Sequence, residues 1–314
     1  MSEHKKPHHQ SPAEQAADAR REFEKYEKFI PLDKSWINRM GVLDLVYGHA
    51  DDIKKFLSGR TGLGSDLLAL KAAAEAWDKS QEIDVGESGT LYRMLRFASW
   101  KLGIKKTFIT HGTLTGRVKD MPNDPGIVNL SQKELQNLPD KTTQWASAAV
   151  LMGDPERLPD ADVKLQLSYK AVEHWNRQRQ QGKTWETKYD ATIQNQAKAF
   201  LEMLKGHKPD FIPEQAEDYC FARVFGYMNM EEGEKLWEKL HHHESDRLAE
   251  MEKIIPRIEA GEEIEPADHR VIQAAVMWGF VNNKEVKTKY PQAVNKSWPQ
   301  FWEFIREAKN LKTA

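Results

Sequence analysis

Residues 86–110 read GESGTLYRMLRFASWKLGIKKTFIT, and this stretch decides the predicted fold class. Gly86 to Gly89 predicts a turn, and the residues from Thr90 to Leu102 show the apolar spacing of a helix. Lys106 to Thr110 is a short run of β-branched and aromatic residues, which predicts a strand. Because helices alternate with short strands, we expect an α/β protein.

Helical patterns occur on both sides of this stretch. From Ser35 to Tyr47, apolar residues recur at the spacing that places them on one helix face. Further predicted helices cover residues 65–77, 142–152, 173–207, 218–230, 245–258 and 299–311. A short alternation over residues 163–171 predicts a strand, and residues 112–126, rich in Gly, Pro and Asp, predict a loop.

The composition excludes several classes of protein. The chain has 314 residues, of which 39% are apolar, enough for two packed domains. A formal net charge of -2 gives no basic excess to neutralise nucleic acid, although a few clustered cations could still bind a small anion. Cys220 is the only cysteine, so no disulfide forms within the chain and a reducing compartment fits.

The cellular location follows from hydropathy. No apolar run approaches the length of about 20 residues that spans a bilayer, and the N-terminus lacks the apolar segment of a signal peptide. We therefore expect a cytoplasmic monomer without a membrane partner. Residues 1–11 are polar and predict a disordered tail.

Six short segments place cations, hydroxyls or glycines near predicted helix starts, where free backbone N–H groups favour phosphates and carboxylates. Taken singly, each segment could equally hold ordinary helix caps and solvated cations. The segments are Lys34 to Arg39, Glu87 to Arg93, Thr142 to Gln144, His243 to Arg247, Asp268 to Arg270 and Lys296 to Phe301.

The order of these segments resembles the enolpyruvyl transferases and, within that family, the 5-enolpyruvylshikimate-3-phosphate (EPSP) synthases. The resemblance runs from about residue 31 to 305. Ser35 after Lys34 favours this branch over the relatives that act on UDP-N-acetylglucosamine, which carry Asn there. The resemblance implies a two-lobed α/β architecture of shortened, repeated βαβ-type units. We divide the chain into a leader (1–30), a first lobe (31–170) and a second lobe (171–314).

The resemblance also implies a reaction in the shikimate pathway of aromatic amino-acid biosynthesis. The enolpyruvyl group of phosphoenolpyruvate would pass to the 5-hydroxyl of shikimate 3-phosphate, with no metal or organic cofactor. Residues implied to bind phosphoenolpyruvate are Lys34, Gly89, Gln144, Arg247, Arg270 and Lys296. Residues implied to bind shikimate 3-phosphate are Ser35, Arg39, Thr142, Thr143 and Gln144. Residues implied to be catalytic are Lys34, Asp218 and Glu244, with Glu214 as the alternative to Asp218.

Two departures from the family pattern matter for activity. The chain is shorter than family members, mostly between Gln144 and Glu244. Met121 stands where the family has an arginine for phosphoenolpyruvate, so we expect Arg117, or else Lys119, to replace that charge. The alternative hypothesis is therefore a repurposed relative that binds a phosphorylated small molecule or a protein partner without turnover.

Two expectations concern geometry. The six segments should converge on one basic cleft, and Lys34→Ala or Arg247→Ala should weaken phosphoenolpyruvate binding with surface-type effects on stability, within about 0.5 kcal/mol. The run His241 to His243 gives poor metal geometry, because adjacent helical residues point in different directions. We expect these histidines to be solvated or to face phosphate.

Overall fold

The protein is mostly helical, with a few short strands. The computed structural model describes residues 23–140, 142–154, 156–182, 185–237, 240 and 245–312. None of the helices within these ranges has the length and apolar character needed to cross a membrane. The predicted tail over residues 1–11 and the histidine run 241–243 lie outside the described residues.

The regular elements are numbered in chain order. The helices are α1 (Lys34–Val46), α2 (Ala50–Leu57), α3 (Ser65–Ala76), α4 (Gly89–Lys101), α5 (Gly112–Arg117), α6 (Gln132–Gln136), α7 (Gln144–Leu151), α8 (Val163–Gln180), α9 (Ala191–Leu204), α10 (Tyr219–Val224), α11 (Met230–Leu236), α12 (Arg247–Glu259), α13 (His269–Val281) and α14 (Phe301–Lys312). The strands are β1 (Glu82–Asp84), β2 (Thr107–Ile109), β3 (Glu263–Ile264) and β4 (Lys287–Thr288). Short 3-10 segments cover Val118–Asp120, Pro125–Asn129, Ala216–Asp218 and Pro291–Lys296.

The strands form two parallel pairs, and each pair is connected by one long helix. β1 pairs with β2 across α4, and β3 pairs with β4 across α13. Both crossover helices have 13 residues, and both begin at a side-chain cap: Ser88 accepts a hydrogen bond from Leu91 N, and Asp268 accepts one from Arg270 N. The described part of the chain therefore contains two βαβ-type units, although helices dominate the α/β class that the sequence predicts.

Two separate hydrophobic cores hold the molecule together. The first core takes its side chains from residues 32–185, and the second takes them from residues 23–30 and 193–308. Each core contains one of the two βαβ-type units, with Ile83 buried in the first and Ile264 in the second. The predicted boundary between residues 170 and 171 falls inside α8, whose buried apolar residues Leu165 and Ala171 belong to the first core.

Two segments connect the cores, and they run side by side. Leu32 and Tyr189 form an antiparallel bridge, Asp33 N donates to Lys188 O at 2.8 Å, and Asp190 N donates to Pro31 O at 2.9 Å. Trp298, fully buried in the second core, donates from its indole to Phe29 O at 2.7 Å. Residues 23–30 are thereby fixed to the second core before the chain enters the first.

The prediction of a strand over residues 163–171 is wrong, because this segment is the first half of α8. Asp162 caps that helix by accepting from Lys164 N and Leu165 N, and the buried positions Leu165, Ser168 and Ala171 recur at intervals of three. The polar helix predicted over residues 173–207 is broken around Gly182, which has a positive φ of 61°. The predicted loop over residues 112–126 contains α5, the 3-10 turn Val118–Asp120 and the start of the 3-10 segment Pro125–Asn129.

The helix predicted over residues 218–230 is too long, because α10 ends at Val224 and Gly226 has a positive φ of 79°. The helices predicted at α1, α3, α4, α7, α12 and α14 are confirmed within a few residues. Cys220 lies fully buried in α10. Burial raises the pKa of its thiol to about 12, which fits a packing role.

Candidate functional site

Two of the cations implied to bind phosphoenolpyruvate line one narrow cavity between the cores. Lys34, at the start of α1, lies on the side of the first core, and Lys296 lies on the side of the second. The cavity has a volume of about 10 Å³, which is room for about one water molecule. The remaining residues of its wall are Pro31, Leu32, Gly62, Leu63, Gly64, Leu67 and Ser297. We call this feature the lysine cavity.

The walls of the lysine cavity touch through backbone as well as side chains. Gln300 donates from Nε2 to Gly62 O at 2.9 Å. An added Cβ at Gly64 would lie 3.2 Å from the backbone oxygen of Lys296, closer than most real Cβ contacts. The cores are therefore packed tightly against each other here, and a ligand larger than water can enter only if the walls separate.

Asp66 holds Lys34 at the edge of the lysine cavity. Lys34 Nζ donates to Asp66 Oδ2 at 2.7 Å, and both side chains are largely buried. Asp66 lies in the first turn of α3, where the helix dipole favours a carboxylate. Burial raises its pKa, but Lys34, Lys296 and a hydrogen bond from Ser88 together outweigh burial, so the pKa of Asp66 is below its ordinary value. Asp66 is therefore a carboxylate.

A second group of polar residues surrounds the start of α4, and we call it the arginine cluster. Arg93 donates from NH1 to Gln144 Oε1 at 2.7 Å, and Gln144 donates from Nε2 to Thr90 Oγ1 at 2.8 Å. Arg93 also donates from Nε to Asp140 Oδ2 at 2.8 Å. Burial lowers the pKa of Arg93, and Asp140 opposes that effect.

Gly89 and Arg117 complete the arginine cluster. A Cβ at Gly89 would lie 3.0 Å from Arg93 NH1 and 3.7 Å from Arg117 NH1, so both guanidinium groups cover the first residue of α4. Among the described residues, Arg117 Nε is buried without a hydrogen-bond partner. Ser88 caps α4 beside the arginine cluster and also lowers the pKa of Asp66 at the edge of the lysine cavity, so it lies between the two features. Met121 packs in the first core at 6% exposure.

Several of the residues implied to bind shikimate 3-phosphate make hydrogen bonds within the protein or cap helices. Thr142 Oγ1 accepts from Gln144 N at 3.3 Å, and Thr143 is the buried N-cap residue of α7. Arg39 is buried, and burial lowers its pKa to about 10. Its guanidinium donates to Ser168 Oγ at 2.7 Å, to Lys164 O at 2.9 Å and to Ser35 O at 2.8 Å.

In the second core, Gln196 bridges two of the residues implied by the resemblance, and we call these three residues the Asp218 cluster. Gln196 Nε2 donates to Asp218 Oδ1 at 2.9 Å, and Arg270 NH1 donates to Gln196 Oε1 at 3.2 Å. Asp218 Oδ2 accepts from Glu214 N at 3.1 Å and Gln215 N at 3.2 Å. Burial raises the pKa of Asp218, while Gln196, these backbone bonds and Arg270 oppose the rise. Glu214, the alternative acid, thus contributes its backbone N–H to Asp218.

Arg247 does not face a solvent-filled cleft, contrary to the expectation, so we expect Arg247→Ala to affect stability more than a surface substitution does. Its guanidinium is 3% exposed and donates from Nε to Asp268 Oδ2 at 2.8 Å and from NH2 to Asp268 Oδ1 at 3.4 Å. Asp268 is fully buried and also caps α13. Lys34 departs from the same expectation, because it pairs with the buried Asp66.

One ion pair joins the Asp218 cluster to the first core. Lys164 Nζ lies 3.2 Å from Glu217 Oε1, and Glu217 precedes Asp218. The same Lys164 accepts the hydrogen bond of Arg39 through its carbonyl. Glu244 lies outside the described residues, so its position relative to Lys34 stays a prediction.

The sequence analysis did not identify Asp66 or Gln196, which contact the candidate site residues Lys34 and Asp218. Asp66 carries only the signal of an acidic residue in a helix first turn, which is usually an ordinary cap. Gln196 carries no signal in a polar helical stretch, because its role depends on two partners distant in sequence. Within the described ranges, no group of three or more His, Cys, Asp or Glu side chains is arranged to hold a metal.

Comparison of the chain with protein-family models, curated proteins and solved structures finds no match. The resemblance to the enolpyruvyl transferases therefore rests on the motifs themselves and on the positions of their residues.

Proposed function

We propose that this protein is an enolpyruvyl transferase that uses phosphoenolpyruvate, with shikimate 3-phosphate as the acceptor. The observation that carries the proposal is that Lys34 and Lys296 line the same cavity between the two cores, although they are 262 positions apart in the sequence. Convergence of these two cations is what the order of the motifs predicts.

The chemistry of the two polar groups supports the proposal. Phosphoenolpyruvate carries a phosphate and a carboxylate, and it needs two sets of cations held in fixed positions. Lys34 and Lys296 supply one set of cations. Arg93 and Arg117, whose guanidinium groups lie over the first residue of α4, supply the other. Guanidinium groups can take two oxygens at once, so the arginine cluster suits a carboxylate or a phosphate.

The proposed reaction also needs proton transfer. A base removes the proton of the acceptor hydroxyl as its oxygen bonds to C2 of phosphoenolpyruvate, and an acid protonates the C3 methylene carbon. The resulting tetrahedral intermediate loses a proton from C3 as the C2–O bond to phosphate breaks, which restores the double bond and releases inorganic phosphate. Among the carboxyl groups that the structure describes, we assign Asp218 to this proton transfer, because burial holds its pKa above the ordinary value. The resemblance assigns the partner role to Glu244.

Release of inorganic phosphate tests the proposal. The protein is incubated with phosphoenolpyruvate and shikimate 3-phosphate, and phosphate is measured with each substrate omitted in turn. Lys34→Met and Lys296→Met should each lose most turnover. Lys54→Met is the matched control, because Lys54 has a similar side-chain exposure, 24% against 22% for Lys34, and pairs with an acid outside the cavity. Turnover that is equal in the lysine variants and the control contradicts the proposal.

A second candidate function is binding of a phosphorylated small molecule without turnover. Two observations favour it: Met121 packs into the first core instead of supplying a cation, and the lysine cavity is nearly closed. Calorimetric binding of phosphoenolpyruvate in the absence of any phosphate release with phosphorylated alcohols would favour this candidate.

A further inference from the structure

The charges around the lysine cavity include an anion that belongs to the protein. Asp66 Oδ2 lies 2.7 Å from Lys34 Nζ, the distance of a charge-assisted hydrogen bond. The carboxylate is 7% exposed and is placed by the first turn of α3. Asp66 thus occupies, at Lys34, the position that a carboxylate or phosphate oxygen of a ligand would take.

Ser88 and Lys296 fix this arrangement from two other sides. Ser88, which is 2% exposed and caps α4, and Lys296 both lower the pKa of Asp66, so both lie close enough to stabilise its charge. The carboxylate therefore has partners from α1, from the residue before α4, and from the second core. Because the Asp66 carboxylate is part of the protein, it contacts Lys34 without the loss of translational and rotational entropy that a free ligand suffers on binding.

We propose that Asp66 is the internal counter-ion of the Lys34–Lys296 site and restricts its ligands to doubly charged oxyanions such as phosphomonoesters. This inference rests on the proposed function, because it names the ligand class of the same cavity. A singly charged carboxylate offers Lys34 nothing that Asp66 does not already offer. A phosphate dianion carries more charge and three oxygens, so it can contact Lys34 and Lys296 together.

The size of the cavity implies that a ligand enters only after the walls separate. The walls leave room for about one water molecule while Asp66 holds Lys34, so the ligand must separate the cores to enter. Lys34 has three N–H donors, and a bound phosphate can recruit those that Asp66 does not use.

The test uses Asp66→Asn, which keeps the shape of the side chain and removes its charge. Inorganic phosphate and acetate are titrated into the parent and the variant by calorimetry at the same ionic strength. We expect the parent to bind phosphate and not acetate. The variant should bind phosphate at least tenfold more tightly, and acetate binding should become measurable.

Asp51→Asn is the control, because it removes the same charge from an exposed side chain that pairs with Lys54. It should leave both affinities within twofold of the parent. Phosphate affinity that is unchanged or weaker in Asp66→Asn overturns the inference, because Asp66 would then only hold Lys34 in position. Neither readout needs turnover, so the inference can fail while the proposed function stands, and the reverse is also true.

A second measurement covers the case in which Asp66→Asn does not fold. In the parent, the side-chain nitrogen resonance of Lys34, assigned by its loss in Lys34→Met, should shift on addition of phosphate and not of acetate. Equal shifts with the two anions would overturn the inference.

Discussion

The ion pair between Arg247 and Asp268 makes the sharpest prediction about stability. Arg247→Ala removes the cation and leaves the fully buried carboxylate of Asp268 without its main charged partner. Removing one member of a buried pair costs about 3–5 kcal/mol, against about 0.5 kcal/mol for an ordinary surface substitution. The cap of α13 should also weaken, because Asp268 accepts from Arg270 N as well.

Urea unfolding followed by tryptophan fluorescence measures this loss. Arg223→Ala is the matched control, because Arg223 makes a similar two-bond contact with Glu252 on the protein surface. The control should lose less than about 1 kcal/mol. The double variant Arg247→Met/Asp268→Asn should recover part of the loss, because it removes both buried charges. An Arg247→Ala variant that is within 0.5 kcal/mol of the parent would refute the reasoning.

Two further predictions concern Asp218 and Gly64. Burial raises the folded pKa of Asp218 above 3.8, so its contribution to stability is present at low pH and is lost as pH rises through the folded pKa. Asp218→Asn should therefore gain stability relative to the parent between pH 4 and pH 7 in urea unfolding, and a relative loss over that range would contradict the assignment. Gly64→Ala should cost about 1–3 kcal/mol, because its Cβ would press on the backbone oxygens of Lys296 and Asn295 across the lysine cavity. Gly116→Ala, where an added Cβ meets nothing within 4 Å, is the control, and equal melting temperatures for the two variants would show that the cores yield freely.

Hydropathy periodicity predicted the helices whose buried face is apolar. α4 and α14 are of this kind, because their apolar residues lie at helical spacing and their ends carry turn residues. The start of α8 was predicted as a strand because Val163, Leu165 and Leu167 alternate. The capping bonds of Asp162 favour the helix instead, and Val163 is exposed.

The candidate site could be predicted only as far as residue type and order allow. Lys34 and Lys296 carry the motif, and the packing of two cores brings them together. The ion-pair partner of each cation could not be predicted, because the partners are distant in sequence. Asp66 engages Lys34, Asp268 engages Arg247, and neither acid is part of the same motif as its arginine or lysine.

The side-by-side connection at Leu32 and Tyr189 has a topological consequence. The first core is an insertion within the second, because residues 23–30 pack with residues 193–308 and the chain leaves and re-enters at neighbouring points. An excised fragment of residues 33–188 would keep a continuous core with its two ends adjacent, which is the geometry that tolerates circular permutation. The second core is a discontinuous domain, and its two pieces would have to be joined across the gap to fold alone. Within the described ranges, the backbone passes between the cores at this paired connection, so we expect any separation of the lysine-cavity walls to bend the chain there.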